Sequence, residues 1–572
     1  SMASFALNRF FFGIDPFSHK VVNLVIHVLT GCLLYLFSHL LLAAYQQYRQ
    51  PRLSVQAAHW IPVIVCGMWL VHPLNLTSVL YIVQRMTSRA TLCMVAGLCL
   101  YVVGRMQMLR GRSGLSIILV GLFCLGGLAI LSKENGILLP LYMLVIEFTV
   151  FRFQGANQNP DKSIITLFTL ILAIPALFAL LYLVTHTDSM LNYSHRDFTL
   201  WERVLTEPRV LIFYLKMIIM PSVQELGLYH DDFSLSHGLL SPFSTLPAIL
   251  AIAGLLTAGL LLRTLRPLVS LGILWFFTGH ALESTILPLE LAHEHRNYLA
   301  DYGILLAATC AVAQAPLKKL MPWISVPVPL LLILVFSYTT WLRSEQWSDN
   351  INHAIYEARH HPQSHRAVFS AGRIHGRLAL EGRVESKAEA FRYLERSMQL
   401  DKTGVMSNVT LIKLSYLLDE PENPAWFDDM LDKLSRYPIS AADISSLQVL
   451  SDCTEDICRI EPERMEALFA IVLQKPDAKL VSAYGYYTIN TRGNFNKGLT
   501  LFRQAVELNP REPQYRKNLI NLLLYMQKFD EAEQELEAFR QADTYGNSRN
   551  FFDSVESELN ALQNGTIPSP NS

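Results

Sequence analysis

Charge is scarce in this chain, and what there is nearly cancels. Asp, Glu, Lys and Arg make up 17% of the 572 residues and leave a formal net charge of -1. A nucleic-acid footprint needs a clustered cationic excess, so that class of partner is excluded. Cysteine is sparse as well. Of eight cysteines, Cys32, Cys66, Cys93, Cys99, Cys124 and Cys310 lie in apolar stretches, where a thiol acts as a small hydrophobe. Cys453 and Cys458 stand apart in a polar region, where they form either a local disulfide or two free thiols. Residues 1–20 contain no signal peptide.

What is present divides at about residue 345. Apolar runs of membrane-spanning length crowd the chain before Trp341, and most of the charge follows it. The candidate spans are 21–45, 56–72, 86–104, 114–131, 136–151, 163–185, 244–264, 268–283, 299–315 and 323–342. Segment 204–220 is apolar but carries Arg209 and Lys216. Short basic loops favour the cytoplasm. Arg49 and Arg52, then Arg105, Arg110 and Arg112, then Arg152 and Lys162, then Arg263 and Arg266, and finally Lys318 and Lys319 alternate correctly if 204–220 does not cross. The second half of the chain then falls outside the cytoplasm. So does the N-terminus, which implies a further helix upstream.

Residues 479–540 repeat with a period of 34. Phe495 matches Phe529, Gly498 matches Ala532, and Phe502 matches Leu536, with Pro510 closing the first unit. This is a tetratricopeptide pattern of stacked helix hairpins. The small residue lets two helices approach and the large one fills the groove between them. An earlier unit is expected over 363–400, and 404–478 is helical but degenerate. Such arrays present a concave face to extended peptides or proteins and seldom do chemistry. The expected organisation is all-α. A polytopic membrane bundle spans 1–345, degenerate helical repeats 346–478, tetratricopeptide repeats 479–545, and a terminal helix with a disordered tail 546–572.

Four segments fall on the outer side, and they hold the ionisable residues. One contains His72, Asn75, Gln84 and Arg85, with Arg89 beyond; a second Lys133, Glu134 and Asn135; a third His230, Asp231, Asp232 and His237. The fourth runs from His280 through Glu283, Glu290, His293, Glu294, His295 and Arg296 to Asn297. Ionisable groups at a membrane face need partners or a function. Ion pairs of Arg85, Lys133 and Arg296 that pin helix ends, with Glu134 or Glu283 for example, are one reading. A phosphate site is the other, since Arg offers a planar fork and Lys a point charge. His293-Glu294-His295 lacks the spacing of a zinc motif. Asp231-Asp232 fits either a divalent cation beside phosphates or a solvated turn. Asn75 and Asn192 match glycosylation sequons by pattern.

The segments ASFALNRFFFGIDPFSHKVVNLVIHVLTGCLLY, HPLNLTSVLYIVQRMTSRATL, LSKENGILLPLYMLVIE and LESTILPLELAHEHRNYL resemble the transmembrane-and-tetratricopeptide O-mannosyltransferases, with Gln84-Arg85 closest to their bacterial relatives. The resemblance covers nearly the whole chain. It implies a GT-C fold glycosyltransferase that takes one sugar from a polyprenyl-phosphate or dolichyl-phosphate carrier and transfers it outside the cytoplasm. Arg85 and Arg296 are then expected to hold the donor phosphate, with Lys133 and His72 assisting. Gln84, Glu134, Glu283, Glu294, His295 and Asn297 would support the cations or the sugar. The family's catalytic acidic pair lies in a first outer loop that would precede residue 1, so the resemblance places the base upstream and implies that this chain lacks activity by itself. Arg85→Ala is expected to reduce transfer while leaving the protein folded. The other partners expected are a lipid bilayer and an acceptor protein bound by the repeats, and the location a bacterial inner membrane with the repeats in the periplasm. The competing readings are a non-catalytic membrane scaffold and a GT-C enzyme that modifies lipid or glycan.

Overall fold

The computed structural model describes residues 2–48, 53–187, 191–194, 196–314, 327–543, 546 and 548–563. These residues are all-helical apart from two isolated β-bridges, and they form two compact units, Ser1–Ala367 and Val368–Ser572. Arg49, Arg52, Lys318 and Lys319, and the tail beyond 563, lie outside the described residues.

In the first unit, five helices are long and apolar enough to cross a membrane: Pro16–Tyr48, Ile82–Leu109, Glu134–Phe151, Lys162–Thr185 and Pro327–Gln346. A sixth is a broken pair, Val55–Leu70 and Pro73–Leu80, bent by 50°. Pro73 supplies no backbone N–H and biases His72 out of the helical region, so the break falls where the sequence requires it. Four more of the expected spans are shorter apolar helices, Leu115–Ile130, Thr245–Leu261, Pro267–His280 and Ala300–Gln314. The faces turned outward are apolar, as lipid contact requires; Leu177, Phe178 and Val184 are each about two-thirds exposed. Helix Leu200–Ile219, opened by a Thr199–Glu202 capping box, carries Glu202, Arg203, Glu207, Arg209 and Lys216 and is not among the spans.

Glycine sets the closest helix contacts. A Cβ on Gly272 would stand 2.2 Å from the Gly303 carbonyl oxygen, and one on Gly303 2.5 Å from that of Gly272. Helices Pro267–His280 and Ala300–Gln314 therefore meet backbone to backbone, as small residues permit in apolar bundles.

Helix Arg85–Leu109 has a buried arginine near each end, about 30 Å apart at 1.5 Å per residue. Arg105 is a correction to the loop-cation reading. It is fully buried, grips Glu147 through Nε and Nη2 at 2.9 Å each, and donates to the Gln154 carbonyl at 2.8 Å. The Tyr101 hydroxyl donates to the same carboxylate at 2.5 Å. Near this end, Arg110 reaches Gln47 and Arg152 reaches the Arg263 carbonyl, so basic loops that the sequence assigns to one side do meet.

The second unit is a stack of helix hairpins. Ala478–Asn490 pairs with Phe495–Leu508, and Pro513–Tyr525 with Phe529–Ala542, before a last helix, Arg549–Gln563. The 34-residue matches occupy equivalent places: Phe495 and Phe529 open their helices, and Phe502 and Leu536 are buried in one core. A Cβ on Gly498 would lie 2.4 Å from Ile489, and Ala532 is fully buried, so the small-residue contact recurs. Cys453 and Cys458 are joined as a disulfide, which resolves the two alternatives left by sequence. The first unit reaches past residue 345, because helix Asn350–His360 packs with it.

Arg105→Met alone strands the Glu147 carboxylate in an apolar interior and should lower stability by about 3–5 kcal/mol. Arg105→Met with Glu147→Leu should recover most of that loss. Thermal unfolding of both variants in one detergent checks the ordering, and equal loss in the two would show that the pair is not the source.

Candidate functional site

Glu283 is the centre of the site. It follows helix Pro267–His280 and is buried. Lys133 Nζ lies 3.7 Å from its carboxylate, Arg296 Nε 2.9 Å, and the Asn135 amide donates at 2.8 Å. Of the two partners open to Lys133, the structure selects Glu283; Glu134 points outward and is exposed. Lys133 also donates to the Thr87 hydroxyl at 3.1 Å, and Thr87 donates to Gln84 Oε1 at 2.7 Å. Three of the four outer segments thus converge within one hydrogen-bonded chain.

Arg296 also donates to the Leu291 and Glu290 carbonyls at 2.8 Å each. Arg203 was missed in the sequence, although its i, i+4 spacing to Glu207 after a capping box was a usable signal. It is fully buried, pairs with Glu207 at 2.8 Å, and donates to the carbonyls of Glu283, Thr285 and Leu289. Helix Leu200–Ile219 therefore fixes the 283–290 loop. Tyr214, on the same helix, accepts the His293 backbone N–H at 2.7 Å.

The balance of charge is cationic. Lys133, Arg203 and Arg296 face the carboxylates of Glu207 and Glu283, three cations to two acids; Glu290 also acts on Arg296 but is matched by its own partner Arg366. Burial pushes the Glu207 carboxyl up to about 7, against the pull of Arg203 and Arg296. Near neutrality the excess is therefore between one and two positive charges. Burial holds His293 and His295 below their ordinary range, and their rings stack at 5.0 Å. Such a site favours a dianionic or monoanionic group in a medium of low dielectric.

The remaining outer residues serve neighbouring contacts. Glu294 is buried against Arg343 at 3.0 Å, with His230 3.9 Å away. Asn297 is buried and donates to the Glu294 carbonyl. Asp231 accepts from Ser364 at 2.6 Å, and Asp232 lies 3.0 Å from His361. Both aspartates lie in a turn, with Asp231 exposed as a solvated turn requires, and both also contact the 361–366 segment. Among the described residues no group of three or more His, Cys, Asp or Glu has metal-holding geometry. Glu290 bonds Arg366 at 2.6 Å and His293 at 2.5 Å; burial pushes its carboxyl up, but these two partners hold it far below the usual range. Arg343 and Arg366 were also missed, since each lies far in sequence from its carboxylate.

Two expected ligand residues lie elsewhere. His72 is a structural cap: Nε2 bonds the Ile218 carbonyl at 3.0 Å and Nδ1 accepts the Leu74 N–H at 3.2 Å. Arg85 faces a short helix, Met2–Phe12, and the start of helix Pro16–Tyr48. It donates to Asn23 at 2.7 Å, to Asn8 at 2.8 Å and to the Ser4 and His19 carbonyls, under the Phe5 ring. Asn75 is buried and donates to the Trp69 carbonyl, so its sequon is inaccessible, whereas Asn192 is exposed.

No family model matches this chain, and no curated protein matches it. Among solved structures, a crystal structure of yeast Tom70 matches at 14% identity over 92% of this chain and 96% of that one, with a TM-score of 0.23, too low to carry an argument.

Arg85→Ala is therefore expected to destabilise rather than leave the fold intact, by about 2–4 kcal/mol, because buried acceptors lose their donor. Thermal unfolding measures it, and an unchanged midpoint would refute the clamp. Glu207 yields a second test. Between about pH 4.5 and 7 the folded chain keeps a proton on Glu207 that the unfolded chain has released, so stability falls as pH rises through that window. His361, raised by Asp232 against burial, adds a loss of the same sign as pH rises through its folded value. His293 and His295, held neutral by burial, contribute with the opposite sign, so the readout is the difference between variant and wild type: Glu207→Gln removes only the Glu207 term, and its unfolding midpoint should rise relative to the wild type from about pH 5 to 7.5. Parallel pH profiles for wild type and variant would exclude the Glu207 term.

Proposed function

We propose that this protein is an integral membrane glycosyltransferase that moves one sugar from a polyprenyl-phosphate carrier to an extracytoplasmic acceptor, a protein hydroxyl. The observation that carries this reading is the Glu283-centred network. Three buried cations against two carboxylates are gathered by distant segments at one place in a bundle of apolar helices. A sugar on a lipid phosphate leaves as a phosphate anion, and buried cations lower the cost of that charge. Lys133 has three donors and spends one on Thr87, with Glu283 an ion-pair partner beyond hydrogen-bond distance at 3.7 Å, which leaves donors for a phosphate oxygen. Glu207, poised near neutrality, is suited to exchange a proton with a group beside Arg296.

The helical repeats bind the acceptor or a partner protein, and the bilayer holds the donor. The Cys453–Cys458 disulfide supports placing the repeats in an oxidising compartment, with a bacterial periplasm preferred. The resemblance of the outer segments to bacterial relatives of the tetratricopeptide O-mannosyltransferases points the same way. One observation favours a second reading, a membrane scaffold: Arg85 and Arg296 spend their donors on the chain itself.

Intact-mass analysis of envelope proteins separates the two. Cells lacking the gene should lose a single-sugar increment on at least one extracytoplasmic protein. Wild type should restore it, and Lys133→Gln, which leaves Glu283 paired with Arg296, should not. Unchanged masses across well-covered proteins would move the reading to a lipid or glycan acceptor, or to the scaffold.

A further inference from the structure

In the second unit, the helix that continues to Leu380 and helix Met406–Leu417 stand side by side as first helices of successive hairpins. Between them runs an open groove of about 280 Å³. Gly372 and Gly376 keep one wall low, and Leu394 forms part of the floor, 2.8 Å from where a Gly372 Cβ would be. Leu380, Leu417 and Val449 line the groove and remain 47%, 38% and 41% exposed. Large apolar side chains left open on a repeat's inner face have no packing role there and mark a contact surface.

The rim has one sign of charge. Arg373 and Arg377 stand one helical turn apart on one wall and Lys413 on the other, and among the described residues no carboxylate lines the groove. Nearby acids hold these cations loosely. Glu381 reaches Arg377 only at 3.9 Å with both side chains more than half exposed, and Asp452 acts on Lys413 from outside the lining. An exposed pair of that kind contributes little and is readily displaced.

We propose that this groove binds an extended peptide segment that alternates acidic and apolar side chains. In an extended strand successive side chains point to opposite sides, so one row seats on Leu380, Leu417 and Val449 while the carboxylates of the other row stay in solvent above the groove, close enough to be attracted at low salt by Arg377 and Lys413 on its two walls. The proposal deepens the partner-binding part of the proposed function and needs no sugar donor, so it can fail while the transferase reading stands, and the reverse.

The test uses the full chain in detergent micelles at low salt. Fluorescence anisotropy follows a fluorescein-labelled peptide of about ten residues alternating Leu and Glu, against a control alternating Leu and Lys. The acidic peptide should bind saturably and at least about tenfold tighter, a difference of about 1.4 kcal/mol. Arg377→Glu with Lys413→Glu, both at the rim and not in the packed core, should reverse the preference without changing the unfolding midpoint. Absence of saturable binding, or a preference that survives the double variant, would overturn the proposal. Sedimentation of the wild type as a dimer that the double variant abolishes would assign the groove to a second copy of the chain and overturn it equally.

Discussion

A cation buried among apolar helices has given up its hydration, and nothing in the surrounding hydrocarbon replaces it. Each buried arginine in the first unit therefore fixes the position of whatever replaces its water. Arg105 fixes Glu147 and the 153–154 turn; Arg203 fixes three carbonyls of the 283–290 loop; Arg343 fixes Glu294 and the Pro73 carbonyl. The helices are apolar enough to associate in many registers. The arginines select one, because a shift of a single turn would leave a charge unpaired.

The same requirement ties the site to its surroundings. Glu283 cannot move without releasing Lys133, Arg296 and Asn135 together. Arg296 holds the Glu290 carbonyl, and the Glu290 carboxylate holds Arg366, so the loop is continuous with the segment anchored on Asp231 and Asp232. Helix Asn350–His360 belongs to this assembly through Glu357, which accepts the Leu228 N–H at 2.9 Å. The membrane unit ends beyond the last apolar span because these polar contacts end there.

Elements read well from sequence where one periodicity decided them. The apolar runs gave helices in place, and the 34-residue repeat gave the hairpins with Gly498 and Phe502 in their expected roles. The convergence of Lys133, Glu283 and Arg296 was legible because ionisable residues are rare enough there to stand out. Side-chain direction was not legible. Arg85 and His72 lie in the right segment but turn toward Asn23 and Ile218, a choice made by neighbours 62 and 146 residues away. Arg343 and Arg366 were hidden for the same reason, since each answers a carboxylate that only the tertiary fold supplies, whereas Arg203 carried a local signal in Glu207 and only its carbonyl partners were hidden.

A purely structural network would be expected to neutralise itself, since an unmatched buried charge costs several kcal/mol. The buried pair Arg343–Glu294 meets that standard, and Arg105 is more than matched, by buried Glu147 and by partly exposed Asp161 at 3.4 Å. The Glu283 network does not, because it sets three cations against two acids and then weakens one of the acids by burying Glu207. The imbalance is confined to the one place where three outer segments and helix Leu200–Ile219 meet. An anion entering there would complete the pairing that the chain leaves unfinished. That residual charge, more than the identity of any one residue, is the physical argument that the network binds something and does not merely hold helices together.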